Sequence, residues 1–151
     1  MPELLRTQLM VILPETLLAL FAMGILLLDL VVKRKGFLAL LTLVAAVCGF
    51  FALSGGGTDA WNGMFIADGY SMFFKVIFLV SLVLSVLVSF KYVRIERINH
   101  GEYYALMLFA TIGMMVMASA GDLITLYLGL ELMSLCLYVL SGFMRDSVRS
   151  N

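Results

Sequence analysis

Charge is what this chain has least of. Only 13% of its 151 residues are Asp, Glu, Lys or Arg, about half of what a soluble domain carries. Such a chain cannot cover a soluble core with a hydrated surface. The ten basic and ten acidic residues cancel to a net charge of zero, so no electrostatic footprint for nucleic acid exists. There is one His and there are two Cys, and both cysteines, Cys48 and Cys136, sit inside apolar runs. That excludes a cysteine framework and leaves no ligand set for a metal, so the thiols read as small hydrophobes. No Gly-rich phosphate loop and no Ser/His/Asp set is present. Nothing in the sequence points to soluble-type catalysis.

What the chain has is hydrocarbon. Hydrophobic residues make up 63% of it, and the mean hydropathy is +1.08. The runs are continuously apolar rather than alternating, which argues for membrane helices and against an outer-membrane barrel. The expectation is an all-α, polytopic transmembrane helix bundle forming a single domain over 1–151. Its five spans are expected at about 9–32, 37–53, 70–92, 103–120 and 123–143. Only Arg6 precedes the first apolar run, no small-residue cleavage site follows it, and Lys33, Arg34 and Lys35 come after it. The first run therefore reads as a retained helix rather than a cleaved signal. The segment from Ser54 to Gly69 reads as a loop, and Gly121-Asp122 as a tight turn that makes spans four and five an antiparallel hairpin. Methionines such as Met114, Met115 and Met117 read as packing material.

Orientation follows from Lys and Arg. With the N-terminus outside, the inner segments hold Lys33, Arg34, Lys35, Lys91, Arg94, Arg97, Arg145 and Arg149, against Arg6 alone outside. Eight to one predicts an external N-terminus and a cytoplasmic C-terminus.

The most informative residue is Glu131, near the middle of the fifth run. The 21 residues of 123–143, at ~1.5 Å each, make ~31 Å, enough to cross the hydrocarbon layer. A carboxylate at such a depth costs at least ~2.5 kcal/mol on insertion scales, and residues of this kind mark ion or proton paths. Tyr127, Glu131, Ser134, Tyr138 and Ser141 are spaced by four, three, four and three residues, so they share one face. Such a stripe suits a hydrated path, in which hydroxyls hold water and the carboxyl takes and releases a proton. The competing reading is a Glu that only bonds a neighbouring helix. No Lys or Arg of this chain lies at the depth of Glu131, so a partner cation has to come from elsewhere.

Lys75 lies inside the third run, and Glu15 at a similar depth in the first. An ion pair between them is allowed if those helices touch; the alternative for Lys75 is a snorkelling side chain. Pro14-Glu15 reads as a helix start or kink, with the carboxylate at the positive end of the helix dipole. Asp29 reads as an interfacial partner of the basic cluster and Asp122 as a cap on the fifth helix.

Three stretches carry a family likeness. Tyr127-Leu-Gly-Leu-Glu131-Leu-Met-Ser-Leu-Cys-Leu-Tyr138 resembles the fifth helix of the antiporter-like subunits of respiratory complex I, most of all the subunit N family within that group. Asp68-Gly-Tyr-Ser-Met-Phe-Phe-Lys75 resembles the entry to that family's third helix, and Leu13-Pro14-Glu15 its first helix. The resemblance implies a membrane subunit of proton-translocating NADH–quinone oxidoreductase in the bacterial inner membrane. It implies a fold of about fourteen helices with two inverted five-helix repeats, of which this chain matches the N-terminal portion. It implies that Glu131 pairs with a Lys on the seventh helix, along a hydrated axis driven by quinone reduction elsewhere. Flavin and iron–sulfur centres are then expected in partner subunits, with no cofactor or metal in this chain. The expected partners are other membrane subunits, the lipid bilayer and, within the complex, quinone. The chain stops after the fifth helix, before the seventh-helix Lys and the second repeat. It is therefore expected to be a fragment, a truncated product or one piece of a split subunit. The alternatives are a subunit of a multisubunit sodium/proton antiporter and a structural assembly subunit without transport.

Overall fold

The computed structural model describes residues 8–31, 36–53, 58–95 and 101–142. Its order is α1 (Leu13–Val31), α2 (Gly36–Ala52), β1 (Thr58–Ala60), β2 (Phe65–Ala67), α3 (Gly69–Ile95), α4 (Glu102–Ala118) and α5 (Leu123–Ser141). A helical turn over 8–11 leads into α1. The chain is mainly helical. Three stretches, Leu13–Val31, Gly69–Ser89 and Leu123–Ser141, are long and apolar enough to cross a membrane. Helices α2 and α4 have 17 residues each, the short end of the spanning range. The basic side chains behind the orientation argument (33–35, 91, 94, 97, 145 and 149) lie outside the described ones.

Helix α4 is the centre of the bundle, packing on α1, α2, α3 and α5. Its apolar residues run all round it, as a fully surrounded helix requires, and eight of its 17 residues are buried. The core is built by Leu18, Ala22 and Ile25 of α1, Leu38, Ala45 and Ala46 of α2, Leu79, Leu82 and Val86 of α3, and Leu108 and Met115 of α4. Helix α5 lies at the edge, packed on α4, and buries only Gly129 and Cys136.

The α4–α5 contact is made backbone to backbone. A Cβ at Gly113 would stand 2.7 Å from the Gly129 carbonyl oxygen, and one at Gly129 would stand 2.8 Å from that of Gly113. Small residues of this kind let membrane helices approach closely. Asp122 starts α5 by accepting the Thr125 N–H at 2.8 Å, a helix N-cap. Asp68 starts α3 with a reciprocal capping box: its carboxylate accepts the Ser71 N–H at 2.8 Å, and the Ser71 hydroxyl accepts the Asp68 N–H at 3.0 Å.

The segment expected to be a loop contains a small antiparallel hairpin, with Ala60 opposite Phe65. Three successive residues with positive φ, Trp61, Asn62 and Gly63, turn it. Its strands are too short for sequence alternation to reveal them. They are held by tertiary pairing: the Ile66 N–H donates to the Ser119 carbonyl, and the Gly121 N–H to that of Met64. A Cβ at Gly121 would collide with the Gly63 carbonyl, so this junction needs a glycine.

Gly113→Leu is expected to force α4 and α5 apart and to cost at least the ~1–3 kcal/mol of an overpacked core. Thermal unfolding in mild detergent measures it; an unchanged midpoint would contradict the glycine crossing. The two aspartate caps give a pH prediction. Hydrogen bonds from the Ser71 backbone and from Thr125 hold the Asp68 and Asp122 carboxyls below their ordinary value of 3.8. A carboxyl lowered by folding contributes fully above its unfolded pKa, and the contribution is lost as pH falls through the lower folded value. Amide-exchange protection at Ser71 and Thr125 should therefore weaken only below pH 3.8, and Asp122→Asn should flatten that dependence at Thr125.

Candidate functional site

Two polar features stand in this apolar bundle, and they are placed differently. The first is at the hairpin end. Glu15 is in the first turn of α1, and Lys75 is six residues beyond the first residue of α3. Lys75 Nζ lies 2.7 Å from Glu15 Oε1, with the side chains 2% and 3% exposed. The helices therefore do bring these residues together, and Lys75 is a buried partner rather than a snorkelling chain. Phe65 of β2 presents its ring 4.9 Å from the ammonium, within cation–π range. Phe65 is itself buried with Val11, Ala60 and Ala67 in an apolar cluster.

Neither Glu15 oxygen receives a hydrogen bond of good geometry among the described residues. At 2.7 Å the ammonium is near enough to Oε1, so it is the angle that falls short. The contact is chiefly one of charge. A cavity of about 10 Å³ adjoins it, lined by Lys75 together with Met10, Val11, Pro14, Leu53 and Ala67 among others. No other Asp, Glu, Lys, Arg or His is buried among the described residues.

The second feature is the stripe on α5. The face of α5 that meets α4 is marked by Gly129 and Cys136. Glu131 stands two residues from Gly129, about 200° round the helix. The stripe therefore points away from α4. Tyr127 and Tyr138 are 59% and 70% exposed, Ser141 is exposed, and Glu131 and Ser134 are half-buried. The stripe is thus open at its tyrosines and at Ser141 and partly covered at Glu131 and Ser134. Tyr127 and Glu131, one turn apart, interact through their side chains. The Ser134 hydroxyl donates to the Leu130 carbonyl at 2.7 Å and that of Ser141 to Tyr138 at 2.8 Å. The Ser134 hydroxyl oxygen thus keeps its acceptor capacity for water or a further donor.

The two features are not in contact. Lys75 is engaged by Glu15 and Phe65, whereas Glu131 lies on the far side of α5 from the bundle. Phe65 was not among the residues singled out in the sequence; its role needs the hairpin, which no periodicity announces. Among the described residues no group of three or more His, Cys, Asp or Glu comes together to hold a metal.

Lys75→Met is expected to leave the Glu15 carboxylate buried without its cation. Removing one partner of a buried pair costs ~3–5 kcal/mol, whereas replacing both by apolar groups is often neutral or stabilising. The prediction is a large fall in melting temperature for Lys75→Met and recovery in Lys75→Met/Glu15→Leu. Equal melting of the single variant and the wild type would show that the pair carries no such penalty.

Comparison with known proteins places this geometry in a lineage. A family model described as "NADH:quinone oxidoreductase/Mrp antiporter, TM" matches residues 120–151, which include the α5 stripe. The chain is 49% identical over 146 residues to NADH-quinone oxidoreductase subunit N of Trichlorobacter lovleyi, covering 93% of this chain and 30% of that protein. It is 50% identical over 111 residues to NADH-quinone oxidoreductase subunit N 2 of Rhizobium meliloti, covering 74% of this chain and 23% of that protein. With NADH-quinone oxidoreductase subunit N 1 of Koribacter versatilis it shares 40% over an alignment covering 100% of this chain and 33% of the relative. The aligned part of the chain thus spans 23% to 33% of the length of these relatives.

Proposed function

This chain is a membrane protein homologous to part of NADH-quinone oxidoreductase subunit N, and from that premise we propose that it contributes part of a proton path in the membrane arm of a proton-translocating NADH–quinone oxidoreductase. The observation that carries the reading is the α5 stripe: a half-buried carboxylate at mid-span, on the face of α5 turned away from α4 and flanked by exposed Tyr127 and Tyr138. A charge in hydrocarbon needs a protein or water interior. The relatives are about three times as long as the stretch they share with this chain, which supports the view that further helices cover the stripe.

In this reading Glu131 takes and releases the proton. Tyr127 donates to its carboxylate and orients it. Ser134 and Tyr138 hold water on either side, extending the path along the helix. A cation brought by the covering helices favours the charged carboxylate, while desolvation favours the neutral one. Motion or titration of that cation switches Glu131 between the two. Lys75 is the cationic member of the path at the hairpin end.

Other membrane subunits are the partners, with lipid around them. Quinone is reduced elsewhere in the complex, and flavin and iron–sulfur centres reside in partner chains. The eight-to-one distribution of Lys and Arg supports a multi-pass chain in the bacterial inner membrane, N-terminus outside and C-terminus in the cytoplasm. The matching model's description also takes in Mrp antiporters, so a sodium/proton antiporter subunit is the second reading. The names of the similar proteins favour the oxidoreductase.

Glu131→Gln keeps shape and polarity and removes the titratable group. In the assembled complex it is expected to abolish most of the proton translocation coupled to NADH oxidation while subunit assembly is retained. Wild-type translocation in that variant would refute the proton role, and harmless Glu131→Leu would favour a structural subunit.

A further inference from the structure

A third feature of the bundle is wholly apolar: a groove between α2 and α3. We propose that it seats one acyl chain of an anionic phospholipid, held as a bound lipid rather than as passing solvent. The inference needs only that the chain lies in a membrane, and it does not depend on the proton role of Glu131.

The groove has a volume of about 210 Å³ and is lined by Ala46, Val47, Phe50, Leu79, Val80 and Leu84 among others, all of them apolar. Ala46 and Leu79 are buried and form its floor, whereas Val47, Phe50, Val80 and Leu84 are about half exposed and form its rim. This face is built differently from the one that receives α5. There, two glycines bring helix backbones together, as small residues do in membranes. Here, branched and aromatic side chains stand up on both sides of a buried floor. Such walls hold a rigid helix off and admit a flexible hydrocarbon chain between them.

Fit to hydrocarbon selects no particular lipid, because the surrounding tails are as apolar as the groove. Selection has to come from the headgroup, and the helix ends supply it. Leu53, at the end of α2, shares a cavity with Met72 and Lys75 near the start of α3, and Gly49 faces Leu79. The two helices are therefore antiparallel. Thirteen residues back from Gly49 is Gly36, where α2 begins, and thirteen onward from Leu79 is Tyr92. The start of α2 is thus level with the last turns of α3, which carry Lys91 and Arg94. In the sequence Lys33, Arg34 and Lys35 directly precede α2, and against these five basic residues stands Glu96, just after α3. Basic clusters of this kind at a membrane surface attract anionic headgroups. The depth agrees. Leu84 is seven residues before Lys91 and Leu79 twelve, ~10 and ~18 Å along the helix. One leaflet is about half of the ~30 Å hydrocarbon core, so a lipid whose headgroup is level with Lys91 brings the far half of its tail to the groove.

The test uses the full chain in phosphatidylcholine nanodiscs. The sequence has a single tryptophan, Trp61, so Trp61→Phe/Phe50→Trp leaves one indole, at the groove. Its fluorescence is quenched by titrating in phosphatidylglycerol or phosphatidylcholine brominated on the tails. Half-maximal quenching is expected at a ~tenfold lower mole fraction of phosphatidylglycerol than of phosphatidylcholine. Adding Lys91→Gln/Arg94→Gln should bring the two curves together. Equal quenching by both lipids with the basic residues in place overturns the inference, because it describes ordinary solvation. Absence of quenching by either lipid overturns it as well, because a second copy or a helix of another chain then fills the groove. The wild-type chain gives a readout that needs no reporter. Reconstituted with phosphatidylglycerol and then washed in mild detergent, it should keep one molecule of that lipid by native mass spectrometry. Val47→Phe/Val80→Phe, which closes the groove from its half-exposed rim, should lose it. Release of all phosphatidylglycerol by the wild type, or its retention by the closed variant, overturns the inference.

Discussion

The approach of α4 to α5 decides where every polar group of α5 can point. Gly113 and Gly129 bring the two backbones so near that neither position tolerates a Cβ. That contact fixes the rotation of α5 about its own axis. Once Gly129 and Cys136 face α4, the 3.6-residue repeat carries Glu131 to the opposite side. A rotation that turned Glu131 inward would bring bulky Leu and Tyr side chains against α4 and lose the close crossing. The outward carboxylate is therefore a consequence of where the small residues stand, and the polar stripe and the glycine face are two aspects of one helix pattern. The tight turn strengthens the arrangement, because Asp122 caps α5 immediately after the junction with the hairpin.

The chain treats its intramembrane charges in two ways. Glu15 and Lys75 neutralise one another inside the bundle, at the cost of removing both from water. Among the described residues no cation stands beside Glu131, since Lys75 is engaged by Glu15. The Glu131 side chain interacts with that of Tyr127 one turn earlier. The first arrangement is self-sufficient. The second fits the proposal that further helices cover α5, and the chain spans about a third of the length of its relatives.

Much of this was legible from residue order. Helices arise where the apolar runs are, because a segment without water must satisfy its own backbone. The cap at Asp122 follows from a short acceptor side chain placed just before an apolar run. The polar stripe follows from spacing alone. Contact between Glu15 and Lys75 was foreseeable only as a matter of equal depth, since sequence does not say which helices are neighbours. The hairpin was not legible. Three-residue strands carry no alternation to detect, and their partners are the carbonyl of Ser119 and the N–H of Gly121, more than fifty residues further along the chain. The direction of the stripe was hidden for a similar reason: it depends on a glycine-to-glycine contact between two helices.

The hairpin joins these threads. Through Phe65 it closes over the buried ammonium, and through Ile66 and Met64 it is bonded to the turn between α4 and α5. The same few residues thus touch the ion pair between α1 and α3 and the cap of the helix that carries Glu131. Each link is short and directional: a ring 4.9 Å from a charge, and backbone hydrogen bonds of 2.8 and 2.9 Å. A shift of the Lys75 ammonium toward β2 would meet the Phe65 ring, and the hairpin is bonded in turn to Ser119 and Gly121. The two polar features are separated in space, yet both adjoin the one hairpin.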